Sequence, residues 1–164
     1  MPIDDLAEHV TAAASRADVR EAIARVYADL QCDIDARRPL CVASGRCCRF
    51  EEFGHRLFVT TLELAAFVAE LPEAAGTKDW DGTGCPFQVN KLCSVHAIRP
   101  FGCRVFFCDA TATLWQNERY ERFHADLKRL HGELNVPYLY VEWRQALRAL
   151  GLAGDAPIGG MSRT

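Results

Sequence analysis

Residues 85–108 read CPFQVNKLCSVHAIRPFGCRVFFC. Four cysteines and one histidine fall within this segment, which reads as turns and very short elements. A second group, CVASGRCC, occupies residues 41–48. Disulfides, a metal and a redox catalyst are the candidates that would place thiols in two such clusters. The chain opens MPIDDLAEHV, without the basic and apolar regions of a secretory leader, so the expected compartment is cytoplasmic. Thiols stay reduced there, and clustered cysteines point to metal or redox chemistry more than to disulfides.

Outward from these groups the pattern is helical. Asp18 is placed to cap a helix whose apolar residues Val19, Ile23, Val26 and Leu30 follow a helical period, ending before Pro39. Cys32 lies off that stripe and reads as an ordinary free thiol. A short strand is expected over 55–60. Thr60 and Glu63 then have capping-box spacing, which predicts a helix to about Leu71. A long helix is expected from about Thr113 to Asn135, with Phe123, Leu127, Leu130 and Leu134 inward. A last helix is expected from Val141 to Leu150, with Gly151 as its stop. The expected fold is mostly α, with helices at both ends around a loop-rich cysteine middle and at most a short strand or two.

A length of 164 residues suggests one domain. We assign it to 1–150, with the cysteine core at 41–108 and a flexible tail at 151–164. A chain of this size buries a real core without crosslinks. Its net charge of −3 gives no global attraction to nucleic acid or anionic membrane, and no apolar run is long enough to span a bilayer. A protein partner is left open.

Cys41, Cys47 and Cys48 form the first candidate ligand set; Cys85, Cys93, Cys103 and Cys108 form the second, with His96 between them. Thiolates suit zinc, copper(I) and iron–sulfur centres, and two ligands on one short turn can reach one metal. Side chains of neighbouring residues in extended backbone point opposite ways, which argues against Cys47 and Cys48 binding one centre side by side. Seven thiols and one histidine fit two tetrahedral zinc ions, or one four-iron cluster with groups to spare. The count does not choose between them. Arg46, Arg49, Arg56, Arg99 and Arg104 flank these groups, and guanidinium groups would stabilise a negatively charged thiolate centre. Arg99 and Arg104, within the second group, are the expected cofactor contacts. The chain's general preference for arginine, sixteen against three lysines, accounts for part of this enrichment.

These groups resemble the YkgJ-type CxxCxxCC cysteine-cluster family of zinc- or iron-chelating proteins. SGRCC at 44–48, TTLELAAF at 60–67, CPF at 85–87 and CSVHAIRPFGCR at 93–104 carry the resemblance in that order. Ser44 stands where the family motif has its second cysteine. The resemblance implies a centre built from Cys41, one or both of Cys47 and Cys48, Cys85, Cys93 and Cys103, with Cys108 as the replacement thiol. It admits an aromatic residue or histidine at 96, so His96 is read as hydrogen-bonded or solvent-facing in preference to a ligand. The family's cysteine pattern is similar to the cluster-bearing part of flagellin lysine N-methylases, which implies a [4Fe–4S] cluster. The expectation is therefore an iron–sulfur protein, with a closed structural zinc module as the alternative. A thiol oxidoreductase is disfavoured, because no C-x-x-C pair opens a helix within a βαβ pattern. Whether the protein is an enzyme stays open: phosphate-loop, dinucleotide, zincin and nucleophile-elbow motifs are absent from the sequence. Glu51-Glu52 and Asp4-Asp5 read as solvated charge.

Overall fold

The computed structural model describes residues 3–73, 75, 77 and 79–154. It is mostly helical, with helices at both ends, as the sequence pattern leads one to expect. Helices α1 (Leu6–Ala14) and α2 (Ala17–Arg37) open the chain. The first cysteine loop follows and ends in α3 (Phe50–Phe53). Strand β1 (Phe58–Thr60) leads directly into α4 (Thr61–Glu70). The second cysteine segment holds β2 (Gln88–Val89), β3 (Leu92–Cys93) and α5 (Phe101–Val105). Helix α6 (Thr113–Glu133), strand β4 (Tyr140–Glu142) and helix α7 (Trp143–Ala149) complete the described chain.

The apolar stripe of α2 is buried at Val19, Ile23, Val26 and Leu30. Its N-cap is Arg16 rather than Asp18. Asp18 sits in the first turn, where its carboxylate accepts from the Val19 N–H and pairs with Arg16. Carboxylates in a first turn face the positive end of the helix dipole. Arg38, left-handed at φ 52°, ends the helix just before Pro39.

Helix α4 is the centre of the molecule. Its capping box is complete: Thr60 accepts from the Glu63 N–H, and Glu63 accepts from the Thr60 N–H. Residues 61–65 are all buried, as expected of a helix packed on more than one side. Leu64 and Phe67 join a core with Leu6, Val10, Phe87 and Trp143, whereas Leu62 and Ala65 join a second with Ile23, Leu30, Phe101 and Phe123. Full burial of each such Leu or Phe is worth about 1.5–3 kcal/mol. The cysteine segment is attached to the first core, where Cys85, Cys93 and Cys103 pack half-buried against it.

On α6, Phe123 and Leu127 are buried, and Leu130 and Leu134 pack at the core edge. The C-terminal helix starts later than expected, because residues 140–142 pair antiparallel with β1, Val59 opposite Val141. The sequence Leu-Tyr-Val-Glu-Trp is compatible with either period, and the open edge of β1 decides it. Residues 151–154 turn back onto this helix: Leu152 N–H donates to the Leu147 carbonyl, and Leu152 and Ala153 pack on the first core. The rest of the expected tail, 155–164, lies outside the described residues.

Candidate metal centre

Two glycines and one hairpin bring the cysteine loops together. Cys47 and Cys48 lie in a 3-10 turn, Arg46–Cys48, entered through Gly45 at φ 71°. Neighbours in such a turn diverge by about 120°, not by the half-turn of extended chain. Both thiols therefore reach the same region, which removes the objection to their sharing a site. In the second segment, Gln88 pairs with Cys93 and Val89 with Leu92. Asn90 and Lys91 between them both have positive φ, 50° and 64°. This is a two-residue turn with the left-handed backbone that suits strand twist. It folds Cys93 back toward Cys85.

The loops then interlock. The Cys85 N–H donates to the Cys48 carbonyl at 2.8 Å. Gln88 Nε2 donates to the Gly45 carbonyl at 3.0 Å. A Cβ at Gly45 would lie 2.1 Å from the Lys91 carbonyl oxygen, and one at Gly84 would lie 2.7 Å from that of Cys48. Gly84 also has φ 63°. Each glycine is thus required by its backbone angle and by the close approach of the other loop.

At this junction Cys48 is buried and interacts with the thiols of Cys47, Cys85 and Cys93. Hydrogen bonding to Cys48 brings the Cys47 thiol down to about 6 and that of Cys93 to about 7. Cys85 is lowered by the same partner, and Trp143 Nε1 donates to its sulfur at 3.4 Å. Cys48 is pushed up in exchange, since it supplies the proton. Cys103, presented by α5 behind Pro100, is raised by burial and by the negative charge of Cys85, Cys47 and Cys93. The four thiols at Cys48 therefore titrate as one group, favouring thiolate at some sulfurs and thiol at others. All eight cysteines are free. Among the described residues, no three His, Cys, Asp or Glu side chains are arranged to hold a metal ion. What the fold assembles is a set of soft donors on a shared backbone junction, not a finished coordination site.

The other expected site residues are distributed around this group. Cys41 is exposed at the head of the first loop; the preceding Leu40 N–H donates to Asp109. Cys108 lies against the first loop, its sulfur 3.4 Å from Ser44 Oγ. The residue in place of the motif cysteine thus touches the thiol expected to replace it. Arg99 bonds the His96 carbonyl at 2.7 Å and ring nitrogen at 3.0 Å, and its charge lowers the thiols of Cys47 and Cys93. Arg104 donates to the carbonyls of Arg99 and Ala97 and lies 4.0 Å over the Tyr27 ring. It braces the turn that carries Arg99. His96 is exposed and hydrogen-bonded to Arg99.

Three supporting residues escaped the sequence reading. Glu51 is not a simple solvated charge: it accepts from the Gly84 N–H at 2.7 Å and pairs with Arg144. Arg144 is 1% exposed and also pairs with Glu142 at 2.8 Å. This bridge joins α3, the start of the second cysteine segment and α7. Glu52, by contrast, pairs with Arg49 near solvent. Trp143 lies in the expected last helix, buried, and no sequence pattern marks it as a donor to Cys85. No spacing rule connects residues 51, 84 and 144, or 85 and 143; only the packing of α7 does. No family model, no curated protein and no solved structure matches the chain.

Proposed function

We propose that this is a cysteine-cluster metalloprotein of the YkgJ type, holding a [4Fe–4S] cluster through thiolates of its two loops. The observation that carries the reading is the junction at Cys48, whose thiol interacts with those of Cys47, Cys85 and Cys93, while Cys103 lies near enough to feel their charge. Cys47, Cys48, Cys85, Cys93 and Cys103 are the donor pool, with Cys41 and Cys108 in reserve at its edge. When bound, such a cluster supplies one-electron transfer, oxidant sensing or a structural anchor. The protein's part is to keep several thiols deprotonated, with Arg99 offsetting their charge and the Trp143 N–H directed at Cys85. A cytoplasmic location belongs to this reading. No helix among the described residues is long and apolar enough to cross a membrane.

A second reading is a structural zinc module. It is favoured by the grouping of Cys47, Cys48, Cys85 and Cys93, since Cys48 interacts directly with the other three. Anaerobic purification with absorption spectroscopy and iron, sulfide and zinc analysis separates the two. Brown protein with iron and sulfide in near-equal amounts supports the cluster. Colourless protein with stoichiometric zinc rejects it in favour of the module, and metal-free protein rejects both.

A further inference from the structure

A cavity of about 580 Å³ opens beside the thiol group, with Cys47 and Cys103 in its wall. Its sides are the 46–58 segment, residues 102–110, the first turns of α6, and Tyr140 of β4. The volume is that of a small-molecule site. Much of the lining is aromatic and braced. Phe58 stacks on Tyr140 at 5.3 Å between ring centroids, and Phe106 stacks on His55 at 5.4 Å. Phe58 and Phe106 are nevertheless 37% and 40% exposed. Flat apolar faces held in place but left uncovered suit a flat apolar guest.

Charge sets the second half of the specificity. Arg46 and Arg56 are on the lining. Arg46 already lies over the Phe53 ring at 4.4 Å, a stacking that leaves the in-plane N–H edge directed to donate to an oxyanion. The carboxylate on the lining, Asp109, is occupied by the N–H groups of Leu40 and Thr111 and by the Thr111 hydroxyl. The lining thus combines an aromatic body site with a cationic rim.

We propose that this cavity binds a small organic anion with a flat apolar body, such as an aryl carboxylate or sulfonate, against the Cys47–Cys103 side of the thiol group. Its use as a substrate or effector site for a metal centre rests on the reading above; the binding itself does not.

The test uses anilinonaphthalene sulfonate, which has this shape and charge, titrated by fluorescence into the full chain as purified and after chelation. Metal content and cooperative unfolding are measured on the same samples. One probe per chain is expected, displaced by naphthoate. Replacing the rim cation Arg46, as R46Q, should weaken the anion about tenfold or more while leaving neutral phenylnaphthylamine within about twofold. Ala110→Trp, at an exposed lining position, should block both probes. Absence of saturable one-to-one binding in a cooperatively folded protein overturns the proposal, as does binding indifferent to both changes. Binding by a protein that purifies without metal upholds the cavity and sinks only the metal reading; metal-loaded protein that ignores the probe does the reverse.

Discussion

Gly45 and Gly84 are the residues on which the thiol junction turns. Either one changed to alanine places a methyl group inside the van der Waals surface of a carbonyl on the other loop, at a backbone angle that alanine adopts poorly. We expect each change to destabilise the fold by about 2–3 kcal/mol, measured by urea unfolding, and to lower bound metal per chain. Thiols divide in the same way. Cys93→Ala should strip the metal and loosen the middle, because metal binding in such sites is part of folding. Cys32→Ala, exposed on α2, should leave metal content unchanged. Metal analysis of the two purified variants decides it, and loss in the Cys32 variant would show that the ligand assignment is wrong. Residue chemistry at this scale was largely readable from the sequence. Cysteine identity and spacing supplied the proposed donor pool. The distinct place of Cys48 was not readable, because it depends on a 3-10 turn that no pattern in Ser-Gly-Arg-Cys-Cys specifies.

At the scale of elements, the capping box of α4 does more than start a helix. Glu63 accepts from the Thr60 N–H at 2.7 Å and from the Phe101 N–H at 3.0 Å, so one carboxylate joins the start of α4 to the start of α5. Burial raises its pKa to about 7, against the pull of those hydrogen bonds. The folded state therefore holds this proton more tightly than the unfolded chain. The associated stability is complete below about pH 4.5 and is lost as pH rises to about 7, amounting to ~3 kcal/mol. Glu51 slopes the other way: its Arg144 and Gly84 partners outweigh burial and lower its pKa, so its contribution is lost in acid. Denaturant unfolding of wild type and Glu63→Gln from pH 4.5 to 8 isolates the first effect, and the falling slope should be absent from the variant. The box itself was legible from Thr60 and Glu63. Its second bond, to Phe101, was not, since that partner is distant in sequence and reaches Glu63 only through tertiary packing. Helix α7 gives a parallel case. Arg144→Met removes the cation from between Glu142 and Glu51, and we expect a loss of about 3–5 kcal/mol by chemical denaturation.

For the whole molecule, the helical frame and the cysteine middle are less separate than their sequence patterns suggest. Helices of strong period were readable because burial of a stripe determines them. Strand β4 was not, because a three-residue pairing is chosen by its neighbour β1 and leaves little local signal. The thiol junction leans on the first core through Cys85, Cys93 and Cys103, and that core also contains α1, α4 and α7. Chelation should therefore lower the thermal midpoint of the whole protein, by mass action on the folded state. Scanning calorimetry with and without chelator reads this. An unchanged midpoint after verified metal loss would mean that the centre is a passenger on the fold.

The position of the Arg144 and Trp143 braces has a temporal meaning. Both belong to the last helix of the described chain, while the thiols they support are made earlier. A ribosome-bound chain that has exposed all eight cysteines still lacks these supports until residues 142–144 clear the exit tunnel. On the proposed reading, a centre that depends on folding is completed only after residues 142–144 have been made.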